Sequence, residues 1–250
     1  MSKLIQKLIR TSKGSGQSLG FRATSDVSDR SLTLVAALDQ DGLHQGIEEV
    51  FDAGADAVIA VIDENAAESI AQVHPAVGDL LWGLWLGDCG DEQLNNIVDL
   101  GADFLVFDPA NVAASVLLQS EIGKILLIEP SYDNMFLGIA GHMPVDAVVV
   151  KVARGNDYVS VEDAVRCQLV ASLTRKPLLA DISLGIEDKG LMALWEVGVD
   201  GIVVRGEVGQ VAESLKSIVE KVKQLPPRGN IFSRAVMLSM PGAGLEKDED

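Results

Sequence analysis

Eight short apolar runs recur along the chain, at 32–38, 57–62, 80–86, 104–107, 125–128, 147–150, 178–180 and 201–204. None alternates apolar with polar residues, which is how a parallel strand covered on both faces reads. The segments between them carry apolar residues at helical spacing, as in Leu43, Ile47, Val50 and Phe51, or Val211, Leu215, Ile218, Val219 and Val222. That spacing predicts amphipathic crossover helices. Residues 124–157 show the plan in full: strand, helix and strand, with a charged residue at each strand exit. Ser160 and Asp163 stand as a capping box that opens the helix carrying Val165 and Leu169.

A repeat runs beneath this pattern. Ala55-Asp56-Ala57, Ala102-Asp103-Phe104, Val145-Asp146-Ala147 and Val199-Asp200-Gly201 each open an even-numbered run, and the odd-numbered runs lack the motif. Gly54, Gly101 and Gly198 precede three of the copies, where a left-handed glycine ends the preceding helix. Two β-α units repeated four times predict a closed eight-stranded α/β barrel rather than an open sheet. An open Rossmann-like sheet is the alternative, but no GxGxxG follows the first run.

The ends of the chain differ from its middle. Residues 1–31 read as a basic amphipathic helix and a Ser/Gly-rich loop, 32–225 as the barrel, and 226–250 as a partly disordered tail with an acidic end. Leu4, Ile5, Leu8 and Ile9 share one helical face beside Lys3, Lys7 and Arg10. That helix is expected to close one end of the fold or pack on a sister subunit rather than to anchor on a membrane. Met237, Leu238 and Met240 in the tail suggest a subunit contact, and a homo-oligomer is expected.

Composition narrows the function classes. A net charge of −17 argues against broad nucleic-acid binding and leaves a small-molecule substrate as the expected partner. No run is long enough for a transmembrane segment. The two cysteines, Cys89 and Cys167, are far apart and outside any CxxC, and with the lack of a secretory signal they suit a reducing, cytoplasmic setting.

Ligands of such barrels bind at the carboxyl ends of the strands. Asp39, Asp63, Asp88, Asp108, Glu129, Lys151, Asp181 and Arg205 stand at or just beyond the eight run ends. Six carboxylates around one mouth require a compensating cation, which Lys151, Arg205 or a divalent metal would supply. Aspartate also caps helices, so each Asp has an ordinary structural role available; neither Glu129 nor Lys151 is a favoured capping residue. Lys151, between Val150 and Val152, is a candidate amine nucleophile for a Schiff base, with Glu129 or Asp181 moving the proton. The loops at 183–185 and 205–209 carry glycines and Arg205, which suit a phosphorylated substrate, whereas Asp181 and Glu207 oppose one. Trp82 and Trp85 are expected to pack in the barrel. His44, His74 and His142 read as ordinary histidines.

A single (βα)8 TIM barrel of the aldolase type is also what resemblance implies. Several class I aldolases carry their lysine on the sixth strand, the position of Lys151. The stretches Val98-Asp99-Leu100-Gly101-Ala102-Asp103-Phe104-Leu105-Val106-Phe107-Asp108-Pro109, Leu127-Ile128-Glu129-Pro130 and 199–214 resemble the metal-dependent 2-oxo acid aldolases and the citrate lyase β subunits. The resemblance spans about residues 50–222. It implies an aldolase-like carbon–carbon lyase acting on a small oxo-acid or carbonyl compound, with a divalent metal, Mg or Mn, on Glu129 and on Asp157 in the loop 155–157. Two departures stand against it. The family's substrate-binding arginine at the third strand end is replaced by Leu86-Gly87-Asp88, so Arg154 or Arg205 would have to reach over, and its catalytic histidine has no counterpart. A divergent, non-catalytic barrel that binds a small ligand or serves assembly is the alternative.

Overall fold

The computed structural model describes residues 2–13, 30–61, 77, 78, 80–152, 158–182 and 184–225. Eight parallel strands close into one barrel in sequence order. They are β1 (Thr33–Leu38), β2 (Ala57–Val61), β3 (Trp82–Leu86), β4 (Phe104–Phe107), β5 (Gly123–Ile128), β6 (Ala147–Lys151), β7 (Leu178–Ile182) and β8 (Gly201–Arg205), with β8 pairing back onto β1. Around them stand α2 (Gln40–Asp52), α3 (Asp91–Asp99), α4 (Asn134–His142), α5 (Val161–Thr174), α6 (Asp188–Glu196) and α7 (Val208–Val222), while a 3-10 turn, Ala114–Leu118, lies between β4 and β5. The capping box at Ser160 and Asp163 forms, and Gly54, Gly101 and Gly198 adopt φ of +106°, +79° and +101°. Only glycine takes those angles without strain.

Strand side chains alternate between two cores. Leu34, Ala36, Val58, Leu84, Leu105, Leu126, Val148, Ala180 and Ile202 face the helices. Val35, Ala37, Ala57, Ile59, Trp85, Phe104, Val106, Ile125, Leu127, Ala147, Val149, Leu179 and Val203 fill the barrel, and with them Leu4, Ile5 and Leu8 of the amino-terminal helix α1 (Lys3–Lys13). Small inward residues make this possible. A Cβ on Gly83 would lie 2.4 Å from the Phe104 carbonyl oxygen, and one on Gly123 would lie 2.8 Å from Ile5.

α1 closes the amino-terminal end of the barrel, away from the strand exits. Its position explains the repeat. All four repeat aspartates donate their backbone N–H to the odd strand before them: Asp56 to Leu34, Asp103 to Trp82, Asp146 to Lys124 and Asp200 to Leu178, over 2.7–2.9 Å. Three also accept that residue's N–H on the carboxylate, from Leu34, Lys124 and Leu178 at 2.8 Å each. Asp103 is the exception: its carboxylate accepts the Ser2 hydroxyl at 2.6 Å and the Lys3 and Leu4 N–H groups at 2.7 and 3.0 Å, so it holds the N-terminus of α1. Lys7 and Arg30 each reach Asp56 at 2.5 Å, so the basic face of the helix finds its counter-charge on the same floor.

Candidate functional site

Inward parity carries past the strand ends and selects what enters the mouth. On β5, β6, β7 and β8 the inward positions continue to Glu129, Lys151, Asp181 and Arg205. On β3 the inward positions are Gly83 and Trp85, so Asp88 falls on the other parity and is exposed. Asp181 sits inside β7, paired in register with Lys151, and is 8 % exposed. The strand thus runs past 178–180 to Ile182, which draws this carboxylate from the rim into the barrel.

Four charges gather around one indole. The Lys151 ammonium lies 3.5 Å from a Glu129 carboxylate oxygen, and the Arg205 guanidinium lies 3.4 Å from Asp181. Both cations face Trp85: Arg205 Cζ is 4.5 Å and Lys151 Nζ 5.9 Å from a ring centroid. Trp85 is 8 % exposed and packs with Val106, Ile125 and Leu127, so it caps the barrel core from within and presents a π face to the charges above it. Two cations and two carboxylates balance, and the ammonium and guanidinium keep about 38 % of their side-chain surface open to solvent. Such an arrangement can bind an anionic ligand by exchange of a carboxylate partner, and it offers an amine next to a carboxylate.

The other strand-exit residues have local roles. Asp39 caps α2, accepting the Gly42 N–H at 2.8 Å. Asp108 accepts from the Ala110 N–H at 3.0 Å, from Asn111 Nδ2 at 3.5 Å and from the Tyr132 hydroxyl at 3.1 Å. Burial, and then the bond to Asp108, push the Tyr132 phenol up to about 12. His44 and His142 lie exposed on α2 and α4. Asp63, Arg154, Asp157 and His74 lie outside the described residues. Trp82 packs under the helices, as the sequence suggests; Trp85 packs too, but also carries the two cations, a role its composition alone did not signal.

For a divalent metal the described residues form no cradle. No three of His, Cys, Asp and Glu among them converge on one point, and the Lys151 ammonium lies 3.5 Å from Glu129, where it opposes a second cation. Among the described residues no helix is long and apolar enough to cross a membrane.

No family model matches the sequence, and no curated protein matches it. Solved structures do. The fold is that of the TIM-barrel enzymes. Orotidine 5'-phosphate decarboxylase from Pyrococcus horikoshii OT3 is 15% identical, with a TM-score of 0.57 over 77% of this chain and 100% of that one. Thiamine phosphate pyrophosphorylase from Pyrococcus furiosus is 18% identical, with a TM-score of 0.55 over 76% and 96%. Dihydropteroate synthase from Xanthomonas albilineans, in complex with 7,8-dihydropteroate, is 14% identical, with a TM-score of 0.55 over 79% and 95%. At these identities the likeness establishes the barrel, and the diversity of the three activities leaves the chemistry to this chain's own residues.

Proposed function

We propose that the chain is an aldolase-like carbon–carbon lyase that takes a small oxo-acid or other carbonyl compound at the carboxyl-terminal mouth, with Lys151 as amine nucleophile. The observation that supports this is the Lys151–Glu129 pair, 3.5 Å apart over Trp85, beside an arginine within the same mouth. In this reading Lys151 passes a proton to Glu129 as its amine adds to the substrate carbonyl, and Glu129 returns that proton to the carbinolamine hydroxyl, which leaves as water while the iminium forms. The bond between the α and β carbons then breaks with its electron pair moving into the iminium to give an enamine, while Glu129 accepts the proton of the β-hydroxyl, whose oxygen becomes the carbonyl of the leaving fragment. Protonation of the enamine and addition of water return the free amine. Arg205 takes the part of the anion clamp that Asp88 cannot play, exchanging Asp181 for the carboxylate or phosphate of the substrate.

The likeness of 98–109 and 127–130 to the metal-dependent 2-oxo acid aldolases and citrate lyase β subunits supports the substrate class. A metal on Glu129 and Asp157 would be the route those families suggest, whereas the ammonium beside Glu129 favours amine chemistry. A second reading has an observation of its own. Both mouth cations are already paired with carboxylates, which is also how a non-catalytic binding barrel would look.

Borohydride reduction in the presence of pyruvate and other short oxo-acids separates the two. The lyase reading expects a mass increase on the peptide carrying Lys151, lost in Lys151→Arg. If no oxo-acid labels that peptide and purified protein carries no divalent metal, the chain is a binding barrel and the lyase assignment falls.

A further inference from the structure

We propose that the outer face of α4 and α5 is a self-association surface, on which a second copy of this chain docks through the same face. Helices of a barrel's outer ring ordinarily bury one stripe and show water a polar one. These two do not. α4 buries Leu137 and Ala140 inward and turns Met135 and Ile139 outward, 73% and 56% exposed, with Met143 just past its end. α5 buries Cys167, Val170 and Ala171 and exposes Val161, Val165 and Leu169 at 82%, 61% and 37%. Each row steps by four residues, so each forms a stripe along its helix. The helices are neighbours in the ring, in contact near their ends, where a Cβ on Gly141 would lie 2.6 Å from the Thr174 carbonyl oxygen.

Concentration of apolar surface on this one face is what singles it out. Seven of the nine exposed large apolar side chains among the described residues lie between Met135 and Leu169. The six in the two stripes leave on the order of 600 Å² of apolar surface in water, at the upper end for a lone monomer and near the roughly 800 Å² per partner of a stable dimer.

Charge selects the occupant. In a chain of net charge −17, α4 contains no Asp, Glu, Lys or Arg at all. On α5, Arg166 lies 3.5 Å from Glu162, and Asp163 is held in the capping box. Two copies meeting here by a two-fold axis therefore bury apolar stripes without bringing rows of carboxylates face to face.

Sedimentation velocity of the full chain over roughly 0.1–100 µM tests this. A dimer of twice the 26.5 kDa chain mass is expected, and the double variant Ile139→Glu, Val165→Glu should weaken it by at least about 100-fold with unchanged far-UV circular dichroism. Met192→Glu, on an exposed residue of α6 outside the two stripes, should leave the dimer intact. A chain that stays monomeric at the highest concentration, or a folded double variant that still dimerises, overturns the proposal. Should the double variant misfold, hydroxyl-radical oxidation of the unaltered chain decides: Met135 and Met143 should slow relative to Met192 as the dimer forms, and equal rates refute the interface.

Discussion

Replacing Asp103 by alanine should release α1 from the barrel floor, whereas the same change at Asp146, its counterpart in the repeat, should not. The Asp103 carboxylate accepts three bonds, from the Ser2 hydroxyl and the Lys3 and Leu4 N–H groups. The Asp146 carboxylate accepts the Lys124 N–H at 2.8 Å. Bonds to a charged group contribute about 1.5–3 kcal/mol each and are not additive, and a helix N-terminus adds about 0.3–1 kcal/mol for a nearby anion. Water can reach the Lys3 N–H, so the lower values apply there. A loss of about 3 kcal/mol follows for Asp103→Ala and about 1.5 kcal/mol for Asp146→Ala. The loss at Asp103 has a ceiling, because once α1 undocks nothing further is lost at that contact. Burial of Leu4, Ile5 and Leu8, at 0%, 2% and 0% exposure, sets it. Three such side chains contribute about 5–8 kcal/mol, comparable with the stability of a whole domain.

Urea unfolding of the two variants measures the difference, and hydrogen exchange at residues 3–13 assigns it. Asp103→Ala should speed exchange throughout α1, with Asp103→Asn between it and the parent, since a neutral amide keeps an acceptor but loses the charge. Asp146→Ala should leave α1 protected. If the two alanine variants lose the same stability within about 0.5 kcal/mol, or if α1 stays protected without Asp103, the assignment of the exceptional aspartate as a helix anchor is wrong.

Gly83→Ala should cost at least about 3 kcal/mol, because its Cβ would fall 2.4 Å from the Phe104 carbonyl oxygen, while Gly87→Ala, whose Cβ would have no atom within 4 Å, should melt like the parent. Alkaline absorbance titration should find the Tyr132 phenol ionising near 12, and Asp108→Asn should bring it down. Since its folded value lies above the usual 10, its contribution to stability is fully present below pH 10 and is lost as pH rises through about 12; a parent protein no less stable at pH 11 than at pH 9 would contradict this. Trp85→Ala should weaken oxo-acid trapping at Lys151 by roughly fivefold, from about 1 kcal/mol of lost cation–π support, and Trp85→Phe should retain most of it. Equal trapping in all three chains would remove Trp85 from the site.

Most of the architecture was legible because a parallel barrel needs strands covered on both faces, and such strands show as unbroken apolar runs. The same uniformity hid which residues face inward. Parity recovers it: counting by twos from Ile125, Ala147 and Leu179 leads to Glu129, Lys151 and Asp181, while Gly83 leads to Trp85 and not to Asp88. Asp39 was readable as a cap from residue type alone, Asp108 instead holds a loop, and the ambiguity lay in aspartates at the strand exits that each admitted a structural role as well as one in the mouth. The repeat aspartates were visible as a period, but their bonds to Leu34, Lys124 and Leu178 join separate strands, and no spacing along the chain announces those. The hydrophobic face of α1 was equally plain, and its bonds to Asp103 and Asp56 say which end of the barrel it closes.

The anchoring of α1 bears on the mouth as well. Leu4, Ile5 and Leu8 stopper the amino-terminal end of the barrel, buried apolar side chains fill it up to Trp85, and among the described residues the charges above the indole meet solvent at the strand exits. Arg205 and Lys151 therefore rest on an apolar column on one side and face water on the other, an arrangement in which their attraction for an incoming anion is screened less than on an open surface. Loosening α1 should then be felt at the opposite end: water admitted beneath Trp85 would weaken the hold on its two cations. The coupling has a direct check, since Asp103→Ala lies far from the mouth yet should lower oxo-acid trapping at Lys151 under conditions where the barrel remains folded. Trapping that is unaffected by a fully undocked α1 would show that the column above it stays dry on its own.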